Sequence, residues 1–330
     1  MRHGPESQNR EPHPHFKAHI EGRLSFVESI HPARGPVSGQ CLRIFHGADK
    51  SRDWPESQIN WFVRRLTAEW LIIQGAGAHA AGDLNTATRS FRLAARLAPS
   101  WETPHFHLGL IAGQSGDWEV SLKSNQKAVA LAGWPSDEAL WNLGIAATAV
   151  HNWAEARRAW RGYGFNIPEG RGELTMEMAP VCLRLNPHGN AVLVWGQGID
   201  PARSIITSVP LPGSNHRYHD IILHGGENSG VLEAEDGRAI PIFDALKLWK
   251  PSQYSTFRST VHIAHEDARR SLGQLCLKHE ICIEEWAEAG DEDFGFAACS
   301  GELLTKVLTF WRTLFPECAF THPEKINEGN

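Results

Sequence analysis

The chain of 330 residues has no long apolar run. Its apolar stretches are all much shorter than the 18 consecutive apolar residues of a membrane-spanning helix. Its first residues, MRHGPESQNREPHPHF, also lack the apolar core of a signal peptide. We therefore expect a cytoplasmic protein with no membrane partner.

Positive charge is in deficit, with 32 Lys and Arg against 38 Asp and Glu and a net charge of -6. Nucleic-acid binding depends on a basic surface that releases counterions from phosphates. The charge balance therefore argues against a nucleic-acid partner.

Cysteine is sparse and lacks motif spacing, because the six cysteines include no C-x-x-C pair. This excludes a zinc ribbon and a thioredoxin-type site. Free cysteines are usually buried, so we predict reduced, buried thiols. They are Cys41, Cys182, Cys276, Cys282, Cys299 and Cys318.

Catalytic signatures are missing as well: the chain has no G-x-S-x-G, phosphate-binding Walker loop, H-E-x-x-H or kinase motif. The glycines of QGAGAHAAG follow no predicted strand, which argues against a dinucleotide loop. We therefore predict a protein that is not an enzyme and carries no cofactor. An enzyme with its site in the C-terminal half remains an alternative.

Two histidine clusters contain residue types that bind metals, but neither has a spacing that by itself makes three or four ligands converge. We expect solvated loop histidines in the first cluster and helix-dipole partners in the second, with no metal. The first cluster is His216, His219, Asp220 and His224, and the second is His262, His265, Glu266 and Asp267.

What the sequence does contain is a repeat. Gly75, Gly109 and Gly144 are separated by 34 and 35 residues, and the turns GDL, GDW and HNW at 82, 116 and 151 recur at the same intervals. A helical glycine costs about 1 kcal/mol relative to alanine, so its recurrence indicates close helix packing. Phe91 and Trp160 are predicted to fill the neighbouring space, with Asn125 in the middle repeat.

The three units, LIIQGAGAHAAGDLNTATRSFRLAARLAP, HFHLGLIAGQSGDWEVSLKSNQKAVALAG and LWNLGIAATAVHNWAEARRAWRGYGFNIP, resemble the tetratricopeptide repeat family. The resemblance covers about residues 66–168. It implies six helices in three antiparallel pairs and binding of a protein or peptide.

In that register, the first helix of each unit lines a concave groove, and residues one turn apart share its face. Trp141 and Phe106 are expected to be exposed aromatic anchors, with two glutamates at the rim. The alternative is that the chain itself fills the groove. The predicted partner-binding residues are Glu69, Ile72, Phe106, Leu110, Glu138, Trp141 and Ile145.

After Pro168 the pattern changes to short alternating β-type runs separated by Gly, Pro, Asn and Asp. The predicted fold class is α+β, a helical array followed by a small antiparallel sheet or barrel and a β-α-β unit. The predicted divisions are a flexible or irregular segment at 1–60, helical hairpins at 61–168, a β-rich α+β domain at 169–300, and a C-terminal helix and tail at 301–330.

Residues 135–290, including WRGYGFNIPEGRGEL and DPARSIITSVPLP, resemble bacterial repeat proteins that act as immunity proteins in polymorphic toxin systems. The resemblance implies an antitoxin that covers the active site of a cognate toxin. A general scaffold or a secretion chaperone is the alternative. The acidic run EEWAEAGDEDF at 284–294 is interpreted as a solvated loop or as a surface for a basic toxin.

Overall fold

The computed structural model describes residues 56–233, 239–286 and 292–326. The chain divides into two compact units, Met1–Trp70 and Leu71–Asn330. Within the first unit, the described residues form the N-terminal part of one long helix. The predicted irregular segment at 1–60 lies outside the described residues except for its last five.

Helical hairpins precede a β-rich region, so the predicted α+β class is confirmed. The first helix begins ten residues before the predicted start of the repeats and continues into the first hairpin. None of the described helices has the length and apolar character needed to cross a membrane. The hairpin helices are α1 (Glu56–Ala80), α2 (Leu84–Leu97), α3 (Glu102–Gln114), α4 (Trp118–Leu131), α5 (Asp137–Ala149) and α6 (Trp153–Tyr163).

The recurring turns begin the second helix of each hairpin in the same way. A side-chain oxygen accepts the free backbone N–H three residues ahead, which is the usual role of an N-cap. The caps are Asp83, Asp117 and Asn152, with donors on Thr86, Val120 and Glu155 at 3.0, 3.2 and 3.2 Å. The residue before each cap has a positive φ: 79° at Gly82, 74° at Gly116 and 60° at His151.

The repeated glycines are contact points between paired helices, as predicted. A Cβ added at each would come within 2.6 Å of an atom in the paired helix, closer than real Cβ contacts allow. Each helix pair can therefore approach only because these positions carry no side chain. The facing pairs are Gly75 with Phe91, Gly109 with Asn125, and Gly144 with Trp160.

A closed five-stranded barrel follows the helices. Of the two predicted alternatives, a small antiparallel sheet and a barrel, the barrel is the one observed. Neighbouring strands along the chain pair antiparallel, and the first and last strands close the barrel in parallel. The strands are β1 (Pro180–Leu185), β2 (Val192–Asp200), β3 (Arg203–Ile206), β4 (Ile221–Glu233) and β5 (Ala239–Lys250).

A second sheet follows in the order β10-β6-β8-β7, and β9 also pairs with β6. The predicted final helix is part of this unit: Trp311 is fully buried, and its Nε1 donates to the carbonyl oxygen of Ala268 at 2.9 Å. The elements are β6 (Ser255–His262), α7 (Glu266–Lys278), β7 (Cys282–Glu285), β8 (Asp293–Ala298), α8 (Gly301–Leu314), β9 (Ala319–Phe320) and β10 (Glu324–Lys325).

One core joins the helical array to the barrel. Leu143 and Trp160 of the last hairpin share a buried cluster with Ala202 and Leu223 of the barrel. The barrel therefore packs directly against the C-terminal end of the array, and this placement decides which parts of the concave groove stay open.

Candidate functional site

A cavity of about 500 Å³ lies between the helical array and the barrel, and we call it the array–barrel cavity. Its size is within the roughly 300–1,000 Å³ of typical ligand clefts. Helices α1 to α5 supply one wall, and the β4–β5 hairpin with the loop after β1 supplies the other. The array contributes His79, Leu84, Leu110, Gln114, Trp118, Asn142 and Ile145, and the barrel side contributes Pro187, His188, Gly225, Gly226 and Asp244.

The array–barrel cavity combines apolar and polar groups. Leu110 and Ile145 occupy equivalent positions in successive repeats and give the array wall an apolar strip. In the polar part of the cavity lining, His79 Nε2 and Gln114 Oε1 form a hydrogen bond of 2.7 Å. Such a lining suits an extended peptide, whose side chains need apolar contacts while its backbone needs hydrogen-bond partners.

The barrel wall carries one fixed charge pair. Asp244 lines the array–barrel cavity, and its two oxygens accept from Nε and Nη2 of Arg184 at 2.6 and 2.8 Å. This two-point geometry holds the carboxylate in one orientation. Asp244 therefore presents an oriented acceptor, not a freely rotating charge, at the barrel side.

Trp141 is not the exposed anchor that the repeat register predicts. It is 4% exposed, and its indole lies 5.1 Å from the ring of Trp160 and 4.8 Å from that of Tyr163. On the barrel side it contacts Gly226, where an added Cβ would overlap the indole. The expected exposure was wrong because the barrel covers this end of the groove, the alternative that the sequence left open.

The other predicted binding residues are distributed over several environments. Leu110 and Ile145 meet in the array–barrel cavity, although Ile145 is largely buried. Ile72 packs on the small core around Phe91, while Phe106 packs on the larger core of the last hairpin.

Both predicted rim glutamates are partly exposed. Glu138 is partly exposed in the first turn of α5. Glu69 forms an ion pair with Arg65 at 3.0 Å on its own helix. Partner contact by these residues stays a prediction.

A buried arginine that no sequence motif indicates fixes the barrel to the array. Arg203 is fully buried and donates to Asp200 at 2.7 Å, to the backbone oxygen of Leu174 at 2.6 Å, and to Glu173. Its guanidinium lies 4.9 Å from the ring centroid of Trp153 on α6 and 4.8 Å from that of Trp249 on β5.

The sequence signal for this junction is DPARS, within the stretch DPARSIITSVPLP that carries part of the resemblance. Asp200 accepts from the backbone N–H groups of Ala202 and Arg203 at 2.8 and 2.9 Å, so it closes the turn between β2 and β3 as well. Cation–π contacts and a buried ion pair together make this segment a structural junction.

The first histidine cluster does not converge, and the expectation of solvated loop histidines is wrong for His224, which is buried on β4. His224 Nδ1 donates to the backbone oxygen of Gly225 at 3.1 Å, so its Nε2 accepts the hydroxyl of Ser204 at 3.0 Å. Burial lowers the pKa of His224 to about 4, which keeps the ring neutral. Ser204 is fully buried, so this serine–histidine pair is closed to a substrate.

Asp220 serves the backbone, accepting from the N–H groups of Arg217 and Ser252 at 2.8 and 2.7 Å. In the second cluster, His265 caps α7 by accepting from Ala268 N at 3.3 Å, and it pairs with Glu317 at 2.9 Å. Among the residues that the structure describes, no three His, Cys, Asp or Glu side chains are placed to hold a metal ion.

The acidic run is partly an internal contact. The carboxylate of Glu284 accepts from Val209 N at 2.6 Å, and Trp286 Nε1 donates to Val209 O at 3.1 Å. Burial raises the pKa of Glu284. These two residues tie the second sheet to the barrel, while 287–291 lie outside the described residues.

Comparison with known proteins finds matches among solved structures only. No protein-family model matches the chain, and no curated protein matches it. The Arabidopsis OM64 TPR domain matches with a TM-score of 0.29 and 16% identity, covering 30% of this chain and 82% of that one. The CopN-Scc3 complex matches with a TM-score of 0.30 and 17% identity, covering 44% of this chain and 86% of that one.

Proposed function

We propose that this chain binds a protein partner and holds an extended segment of it in the array–barrel cavity. The observation that carries the proposal is that Leu110 and Ile145 line a cavity of about 500 Å³ between the array and the barrel, with Leu110 the more exposed of the two. Polar groups at its side, including Gln114 and Asn142, supply hydrogen-bond partners for a peptide backbone.

Within this proposal the partner is a toxin domain and the chain acts as its immunity protein. The support is the resemblance of residues 135–290 to repeat proteins of polymorphic toxin systems. The mechanism is occlusion: the partner segment that enters the cavity anchors the complex, and the surrounding surface covers the active site of the toxin. No chemistry by this chain is required.

Site-specific crosslinking tests the binding proposal. A photoreactive phenylalanine analogue is placed at Leu110, which lines the array–barrel cavity, or at Leu93, an exposed leucine of α2 outside it. We expect a partner to crosslink at position 110 but not at 93. Substitution Leu110→Glu should abolish capture by the tagged protein, whereas Leu93→Glu should preserve it. Equal capture by the two substituted proteins would place the interface elsewhere.

Growth assays test the finer proposal. The captured partner, expressed alone, should arrest growth, and co-expression of this chain should restore it. The Leu110→Glu variant should restore growth poorly. A single harmless partner, or several unrelated ones, would replace the immunity role with that of a scaffold or chaperone and leave the binding proposal intact.

A further inference from the structure

A second cavity, of about 560 Å³, lies between the barrel and the second sheet, away from the array–barrel cavity. Three aromatic rings gather on one side, and the end of α7 with the start of β7 forms the other. We call it the aromatic cleft. Its lining includes Tyr218, His219, Tyr254, Leu277, Glu280 and Cys282.

The three rings are arranged as a stack with one perpendicular neighbour. Tyr218 and His219 stack at 4.0 Å, and the ring of Tyr254 lies 5.0 and 5.2 Å from them at interplanar angles of 90° and 76°. Because Tyr254 is nearly equidistant from both stacked rings, it stands beside the stack and covers neither outer face. The cleft therefore offers aromatic faces in two orientations.

The charge in the aromatic cleft has one sign. Of the described residues that line it, none is lysine or arginine, and Glu280 supplies a carboxylate. Burial lowers the pKa of His219, so its ring does not compete as a cation near pH 7. Burial also raises the pKa of Tyr218 and Tyr254, and the phenols stay neutral with their electron-rich faces intact.

Apolar surface completes the site. Leu277, which is 79% exposed, and the partly buried Ile283 line the cleft, and Ile281, which is 4% exposed, lies between them in sequence. Aromatic faces attract cations, and methylated ammonium groups also bury apolar methyls against such walls. A primary ammonium or a metal ion would gain little from the leucine and isoleucines.

We propose that the aromatic cleft binds the methylated ammonium group of an organic cation. Tyr218 and Tyr254 contact the methyl groups, and Glu280 supplies the opposite charge. This chemistry is shared by a free quaternary amine such as choline and by a trimethylated lysine side chain.

The test titrates the full chain with choline and with 3,3-dimethylbutanol, its neutral isostere, and follows ligand signals by saturation-transfer NMR. We expect saturable binding of choline and none of the isostere. Tyr218→Leu should weaken binding about fivefold or more, and Glu280→Gln should also weaken it. Tyr218→Phe, which keeps the ring, and Phe310→Leu, at an exposed aromatic residue of α8 outside the cleft, should bind choline like the parent.

Nα-acetyl-trimethyllysine amide distinguishes the source of the ligand. Tighter binding of this compound than of choline assigns the cleft to a modified lysine, and the reverse order assigns it to a free amine. Equal binding of choline and its isostere would overturn the proposal. Unchanged choline binding by the folded Glu280→Gln variant, together with unchanged binding by Tyr218→Leu, would also overturn it.

Discussion

The indole of Trp141 lies directly against the backbone of Gly226, so a strand of the barrel occupies the place that a binding partner would need at that end of the groove. The contact joins α5 to β4 across 85 residues of sequence. It divides the predicted groove into a part closed by the chain and a part that remains as the array–barrel cavity.

Substitution Gly226→Ala should destabilise the protein by about 1–3 kcal/mol, because the new methyl group overlaps the Trp141 indole in a packed core. Urea denaturation followed by tryptophan fluorescence measures the loss. Gly189→Ala is the matched control, since nothing lies within 4 Å of an added Cβ there. Equal stability of the two variants would contradict the contact.

The glycine of the middle repeat gives a separate test. Gly109→Ala should lower the free energy of unfolding by about 1–3 kcal/mol, since its Cβ would come within 2.6 Å of Cγ of Asn125. Adding Asn125→Ala should recover part of the loss, and a double-mutant cycle measures that coupling. Gly77→Ala, with no atom within 4 Å of the added methyl, should stabilise α1 by up to about 1 kcal/mol. Additive effects at positions 109 and 125 would argue against the predicted packing.

The buried arginine should be far more sensitive than an exposed one. Arg203→Met leaves Asp200 buried without its ion partner, and we expect a loss of about 3–5 kcal/mol in the free energy of unfolding. Arg258→Met, which removes an exposed pair with Asp293, should change it by no more than about 1 kcal/mol. Chemical denaturation of both variants decides the matter, and similar small losses would show that Arg203 is not a structural junction.

Stability should fall in mild acid. The pKa of His224 is lowered by burial to about 4 in the folded state, whereas an unfolded histidine titrates near its usual 6.5. Between these values the unfolded chain binds more protons, so stability is complete above pH 6.5 and decreases as the pH falls towards 4, by about 3 kcal/mol for this residue.

His107 acts in the same direction, because burial lowers its pKa to about 4 as well. The variant His224→Phe keeps a ring stacked on Phe243 and removes one titrating group. Its stability should therefore depend less steeply on pH over this range in urea titrations. Parallel curves for the parent and the variant would contradict the assignment.

The repeat was predictable because its determinants are local. Asp117 accepts the backbone N–H of the residue three positions ahead, and Gly109 faces Asn125 only 16 residues later. A period of 34–35 residues therefore contains almost all the contacts that define a hairpin. The β-strands were predictable for the same reason, because the alternation of apolar and polar residues within each strand indicates which of its faces is buried.

The candidate binding surfaces were decided by contacts between distant segments. Nothing in the neighbourhood of Trp141 indicates that Gly226 will cover it, and the register therefore overpredicted its exposure. The aromatic cleft likewise depends on Tyr218, Tyr254 and Glu280, which come from three separate elements or loops. The sequence determined the helical hairpins and the alternation of the strands through short-range packing and capping. Only the tertiary structure decided which apolar side chains would be covered, because that depends on where the barrel packs against the array.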